Sequence, residues 1–160
     1  MKPSLFRKLN ILRFLRMPFA EDDAIRLRVK SILLSVPELG FADSITLSII
    51  EKRRGRVAGE IALRIGESKP LYYLGHIGYH VDLPYRGQHF AMRACALSCP
   101  FLRKAGMRYA VITTDEDNHP SIRTCERLGC RFESTVDVPL WCVNEFHISR
   151  RKRRYIFDLA

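Results

Sequence analysis

Arg86 and Gly87 stand in the loop Tyr85-Arg86-Gly87-Gln88-His89. A strand-like run ends just before it at Leu83-Pro84, and a stretch that reads as a helix opens just after it at Phe90 and Ala91. The first N–H groups of a helix have no partner inside it, and with the helix dipole behind them they attract anions. Gly87 lets a ligand approach the backbone, Ala91 is small enough for close contact, and Arg86 adds a positive charge. The types and spacing suit a phosphate or pyrophosphate. An ordinary strand–helix turn also carries a glycine, so the loop alone does not decide.

The elements around it must hold it in place. Residues 8 to 16 read as a first strand. Glu21 to Leu34 reads as a helix, with an acidic first turn that suits the positive end of the dipole and apolar spacing through Ala24, Leu27, Ile32 and Leu33. Ser44 to Ile50 and Val57 to Ile65 read as strands joined by the turn Arg53-Arg54-Gly55-Arg56. Leu71 to Val81 reads as one long aromatic-rich strand. Gln88 to Lys104 reads as a helix closed by Gly106, with Pro100 inside it expected to kink it or loosen its last turns. Arg108 to Thr114 is a short apolar strand, Ser121 to Leu128 a helix closed by Gly129, and Arg131 to Val138 and Arg154 to Leu159 the last strands. A helix between strands 71–81 and 108–114 implies a parallel crossover, and the hairpins imply antiparallel pairs.

The chain has 160 residues, the size of one domain with room for a core. Net charge is +10, which favours polyanionic partners without choosing among a phosphorylated cofactor, nucleic acid and an anionic surface. Arg7, Lys8, Arg13 and Arg16 break any apolar core of a signal peptide. No uncharged apolar run approaches the roughly 20 residues of a membrane span. A cytoplasmic chain with reduced thiols is the expectation. No pair of its five cysteines has the spacing of a zinc knuckle, no metal is expected, and the thiols read as small buried residues.

A second segment gives the loop its context. YHVDLPYRGQHFAMRA resembles the acyl-CoA-binding motif of the GNAT-type N-acetyltransferases, a strand ending in V-x-P-x-x-R-G followed by a glycine-containing loop and a helix. Downstream, NHPSIRTCERLGC at residues 118 to 130 looks like the family's N-x-x-A-I-x-x-Y-E-K-x-G-F segment, with Asn118, Ser121, Ile122, Glu126 and Gly129 in step. The resemblance covers residues 57 to 133 well and the N-terminal third by element order only.

The resemblance implies an α/β (α+β) fold, the GNAT acyl-CoA N-acyltransferase fold. Its mixed, mostly antiparallel sheet would have about six to seven strands flanked by helices, as one domain over residues 1 to 160. It implies an acyltransferase that moves the acetyl group of acetyl-CoA to a primary amine of a small molecule, a protein N-terminus or a lysine. Arg86, Gly87, Gln88, His89, Phe90 and Ala91 would bind the pyrophosphate, Val81 and Leu83 would pair with the pantetheine, and Asn118, with Ser121 beside it, would hold the far end of that arm. Two residues depart from the pattern. His89 replaces the usual middle glycine, and histidine tolerates positive φ better than most residues. Cys125 replaces a tyrosine thought to protonate the leaving thiolate: either it is the substitute acid, or the thiolate leaves through water, or Cys125 is a packing residue.

Transfer to an amine also needs a base. His76 is the first candidate. His80, four residues on, falls on the same face of a regular strand, and Glu60 on the neighbouring strand is the third. A structural role for the histidines stands beside that reading. The basic run Ser149 to Arg154 is either a solvated loop or a site for an acidic acceptor, RNA or a ribosomal surface. The segment VPLWCVNEF, with Trp141 and Phe146, suggests an apolar lip on the acceptor cleft or a homodimer contact. A catalytically silent CoA-binding or nucleic-acid-binding module on the same fold is the competing function.

Overall fold

The computed structural model describes residues 20–34 and 43–160, so the strand expected over residues 8 to 16 lies outside the described residues. The first described element, β1 (Ile25–Leu33), is a strand where a helix was expected over Glu21 to Leu34. The segment Ile25-Arg26-Leu27-Arg28 alternates buried apolar and exposed basic residues, and a period of two belongs to a strand. The acidic residues ahead of it serve a turn rather than a helix dipole. Asp22 Oδ1 accepts the N–H groups of Ala24 and Ile25, both at 2.8 Å.

β2 (Asp43–Glu51) and β3 (Arg56–Ile65) form the expected hairpin, with Gly55 at φ 65° in its turn. The single strand expected over Leu71 to Val81 is two elements. A helical turn, α1 (Leu71–Leu74), is followed by Gly75 and then β4 (Ile77–Val81). Gly75 has φ 74°, and a Cβ there would lie 2.8 Å from the Val111 carbonyl oxygen. The chain passes the Val111 carbonyl so closely that only glycine fits, and the apolar run cannot stay extended.

A 3-10 turn (Leu83–Tyr85) leads to α2 (Phe90–Lys104). This helix continues through Pro100 to Lys104. Pro100 and Ala96, whose carbonyl loses its helical partner, are both exposed, so water can satisfy the freed group. β5 (Tyr109–Thr114), α3 (His119–Arg127) and β6 (Arg131–Asp137) fall where the sequence puts them. VPLWCVNEF forms a helix, α4 (Leu140–Phe146), entered from Pro139 with Cys142 buried. β7 (Arg151–Asp158) begins inside the basic run, so most of that run is strand and not loop.

The seven strands form one sheet in the order β1-β2-β3-β4-β5-β7-β6. Every pairing is antiparallel except β4 with β5, the parallel crossover through α2. α2 packs on β1, β3 and β4, and α3 on β5. Ile61, Leu63, Ile77, Ala94, Leu102 and Ile112 fill the space between, each 1% exposed or less. Burial of each larger side chain contributes roughly 1.5–3 kcal/mol. β4 and β5 are registered at one pair only, Ile77 with Ile112. Beyond it they separate, and a cleft opens between them.

Candidate functional site

The cleft has a volume of about 550 Å³. Its entrance is the loop between β4 and α2. There the Asp82 N–H donates to Ala58 O at 2.8 Å and the Tyr85 N–H to Asp82 O at 2.9 Å, which pins the turn to β3. Gly87 has φ 79°, and a Cβ there would meet nothing within 4 Å, so its backbone faces open space. His89 is the N-cap of α2 at φ 60° and makes no side-chain cap, leaving the first amides of α2 free for an outside partner.

The charges at this end differ from expectation. Arg86 folds back, its Nε donating to Val81 O at 2.9 Å. Two guanidinium groups from α3, Arg123 and Arg127, line the cleft instead. An Arg127 terminal nitrogen lies 2.9 Å from His89 Nδ1. A guanidinium only donates, so Nδ1 accepts and the imidazole proton sits on Nε2. His89 is thus held in its left-handed conformation by a contact that no glycine could make.

At the floor, Tyr79 Oη lies 2.8 Å from Ser121 Oγ. Asn118 caps α3, its Oδ1 accepting the Ser121 N–H at 3.2 Å. Burial, reinforced by the neighbouring Cys125, pushes the Tyr79 phenol far above its ordinary 10.0, so it stays protonated. Cys125 is fully buried in the core and does not line the cleft. Its hydrogen bond with Cys130, together with burial, pushes that thiol up as well. All five cysteines are free.

On the β5 wall, Thr114 is buried and its Oγ1 has no hydrogen-bond partner. Asp115 follows it, accepting from Ser149 Oγ at 2.6 Å and from Lys152 Nζ. Burial raises the Asp115 carboxyl, but the Lys152 and Ser149 contacts outweigh it, and the group lies below its ordinary 3.8.

Of the donor-site residues expected from sequence, Val81, Arg86, Gly87, His89, Phe90, Ala91, Asn118 and Ser121 all line the cleft. Leu83 and Gln88 are exposed and stand outside its lining. The base candidates separate. His80 lines the cleft and pairs across the strands with Glu60, on the face of the sheet opposite Tyr79. Glu60 is ion-paired with Lys30. His76 is 2% exposed and lines a separate cavity of about 240 Å³ with Tyr72, Tyr109 and Arg154. Its Nδ1 accepts the Val111 N–H at 2.9 Å and its Nε2 donates to Gly66 O at 3.0 Å. Burial, partly offset by Glu67, pushes its pKa below 6.5.

The basic run is largely neutralised within the fold. Arg151 pairs with Glu116 and Asp137, Lys152 with Asp115, and Arg154 with Glu133, while Arg153 stacks over the Phe132 ring. Trp141 packs edge-on to Tyr73 at 6.3 Å and beneath Lys69 at 5.2 Å, outside the cleft. Sequence reading missed Tyr79, Arg123, Arg127 and Lys152. For α3 a signal existed, since Pro120, Arg123, Thr124 and Arg127 recur at helical spacing and form the face that lines the cleft.

The model of the acetyltransferase (GNAT) domain matches residues 10–131, more than half of the chain. The chain belongs to the GNAT acetyltransferase family. Solved GNAT structures share its fold at low identity. An N-acetyltransferase from Brucella melitensis is 20% identical with a TM-score of 0.62, over 89% of this chain and 79% of that one. A ribosomal-protein alpha-N-acetyltransferase in complex with coenzyme A is 15% identical with a TM-score of 0.62, over 88% and 98%. A microcin self-immunity acetyltransferase in complex with acetyl-CoA and AMP is 20% identical with a TM-score of 0.55, over 72% of this chain and 61% of that one. The chain therefore spans less than two thirds of some of these GNAT relatives. No curated protein matches it in sequence. Among the described residues no helix is long and apolar enough to cross a membrane.

Proposed function

We propose that this GNAT acetyltransferase moves the acetyl group of acetyl-CoA onto a primary amine by direct attack, with the donor held in the cleft between β4 and β5. The observation that carries the reading is the divergence of those strands beyond Ile77 and Ile112, with the uncapped start of α2 at one end and the Tyr79–Ser121 pair on the floor. The residues fit such a donor. The free amides of α2 and the open backbone of Gly87 suit a pyrophosphate. The facing edges of β4 and β5, unpaired past one residue, suit an amide-bearing arm, and the partnerless Thr114 Oγ1 stands along them.

The thioester supplies the activated acetyl group; the chain's own residues orient it and handle the protons. The amine must be neutral to attack, and His80, which lines the cleft with its Nε2 3.3 Å from Asp82 Oδ1, can take its proton and pass it to water. As the C–N bond forms and the C–S bond breaks, the departing sulfur needs a hydrogen-bond donor. Cys125 lies behind the floor, whereas Tyr79 lines the cleft, and its phenol, 2.8 Å from Ser121 Oγ, stays protonated at any working pH. His76, with both ring nitrogens engaged, ties the chain just ahead of β4 to Val111 on β5 and to Gly66 after β3. Relatives that act on ribosomal proteins make free protein N-termini, beside small amines, the acceptors to try first.

The test is calorimetric titration of acetyl-CoA into the wild type and an Arg86→Glu, Gly87→Pro double variant. Thiol release is then followed over a panel of polyamines, amino acids and N-terminal peptides. Binding that the double variant loses, followed by amine-dependent thiol release, supports the proposal. Absence of acetyl-CoA binding to the wild type overturns it.

A further inference from the structure

The cleft entrance carries more cationic donors than a pyrophosphate at a helix start requires. The amides of α2 and Gly87 already serve that group, and Arg86 is tied to the Val81 carbonyl. Arg123 and Arg127 stand one turn apart on the cleft face of α3, both exposed. Neither has a carboxylate partner among the described residues, whereas Arg93, Arg151, Lys152 and Arg154 all do. Uncompensated positive charge at the entrance therefore lies on α3, beside the amide site, as well as on Arg86, whose Nε is committed to the Val81 carbonyl.

The brace on Arg127 has a particular chemistry. A carboxylate would orient a guanidinium but cancel its charge. Neutral His89 orients it through one hydrogen bond and leaves the charge, with four of its five N–H donors, directed elsewhere. A planar fork held this way matches two oxygens of a phosphate monoester. Coenzyme A carries such a group, the ribose 3′-phosphate, separate from its pyrophosphate.

We infer that Arg127, braced by His89 and assisted by Arg123, binds the 3′-phosphate of the donor and makes the cleft selective for 3′-phosphorylated coenzyme A. This rests on the donor reading above. It also gives a reason for a histidine where a glycine would relieve the backbone: the side chain sets the fork.

Calorimetric titration of the full chain with coenzyme A and with 3′-dephospho-coenzyme A tests it. Wild type is expected to bind coenzyme A about tenfold or more tightly than the dephospho form. Arg127→Ala is expected to bring the two affinities together while leaving that for the dephospho form unchanged. Arg127→Lys, which keeps the charge and loses the fork, should fall between. His89→Gly, which keeps the left-handed backbone and loses the brace, should also reduce the preference. Equal binding of both ligands by the wild type overturns the inference, as does an Arg127→Ala variant that weakens both ligands alike. Binding of neither ligand by the wild type overturns the donor reading and this inference with it.

Discussion

Tyr79 and Ser121 join β4 to α3 across the cleft floor, hydroxyl to hydroxyl at 2.8 Å. One partner lies on a strand that diverges from β5, the other in the first turn of a helix capped by Asn118. The pair ties β4 to α3, and both residues line the cleft. Tyr79→Phe removes the hydroxyl and keeps the ring. It is expected to lower turnover about a hundredfold while the acetyl-CoA dissociation constant stays within about twofold. Steady-state thiol release with the best amine of the panel, read beside calorimetry, checks the split. A purely structural hydroxyl would leave turnover near wild type at a cost of about 1 kcal/mol in stability.

Cys125 gives the opposite expectation. It is fully buried with its thiol pushed up, beside Cys95 in the core. Cys125→Ala leaves a small void and should cost about 1 kcal/mol in denaturant unfolding. It should leave turnover within about twofold of wild type, because the buried thiol does not line the cleft. A hundredfold loss of turnover with an unchanged unfolding midpoint would return the acid role to this residue.

How far the sequence could be read follows from what each signal depends on. The turn between β4 and α2 was legible because glycine, strand end and helix start act within a few residues. The β2–β3 hairpin was legible for the same reason. The segment after Glu21 was misread because Ala24, Leu27 and Ile32 fit a helical stripe while Ile25 and Leu27 also fit alternation. The sheet decided, burying Ile25 and Leu27 and exposing Arg26 and Arg28. The break at Gly75 depends on the Val111 carbonyl, which lies far away in sequence. The buried state of His76 depends on Gly66 and Val111, neither of them a sequence neighbour. The same holds for Arg127, whose contact with His89 joins residues far apart in sequence.

His76 makes stability depend on pH. Its folded-state pKa lies below the ordinary 6.5, so the unfolded chain takes up a proton more readily as pH falls below that value. The stabilisation is complete above pH 6.5 and is lost progressively as pH falls from there toward the folded-state pKa. Asp22 and Asp115, lowered from 3.8, add the same trend in a separate, more acidic window. Urea midpoints between about pH 5 and 8 are expected to fall on the acid side in wild type. In His76→Gln they should be lower at neutral pH and flatter across that range. A wild-type midpoint that is flat from pH 8 to 5 would show that His76 is free to take up a proton.

The two ends of the basic run should respond differently to removal. Arg150 is exposed on the approach to β7, while Arg154 is 6% exposed. Arg154 Nε lies 2.5 Å from Glu133, and its guanidinium carbon lies 3.9 Å from the Tyr72 ring centroid. Arg154→Ala strands Glu133 and the Tyr72 carbonyl and empties a filled space. It is expected to cost about 2 to 3 kcal/mol, less than in a fully buried pair because the Glu133 side chain is 35% exposed. Arg150→Ala should change the unfolding free energy by less than about 0.5 kcal/mol. A polyanion site built from the whole run would behave otherwise. Both variants would then lower RNA affinity and its salt dependence together, with stability little changed. Urea unfolding and RNA titration of the two variants at two salt concentrations separate the cases. The pairing of Arg151, Lys152 and Arg154 with carboxylates leads us to expect the first.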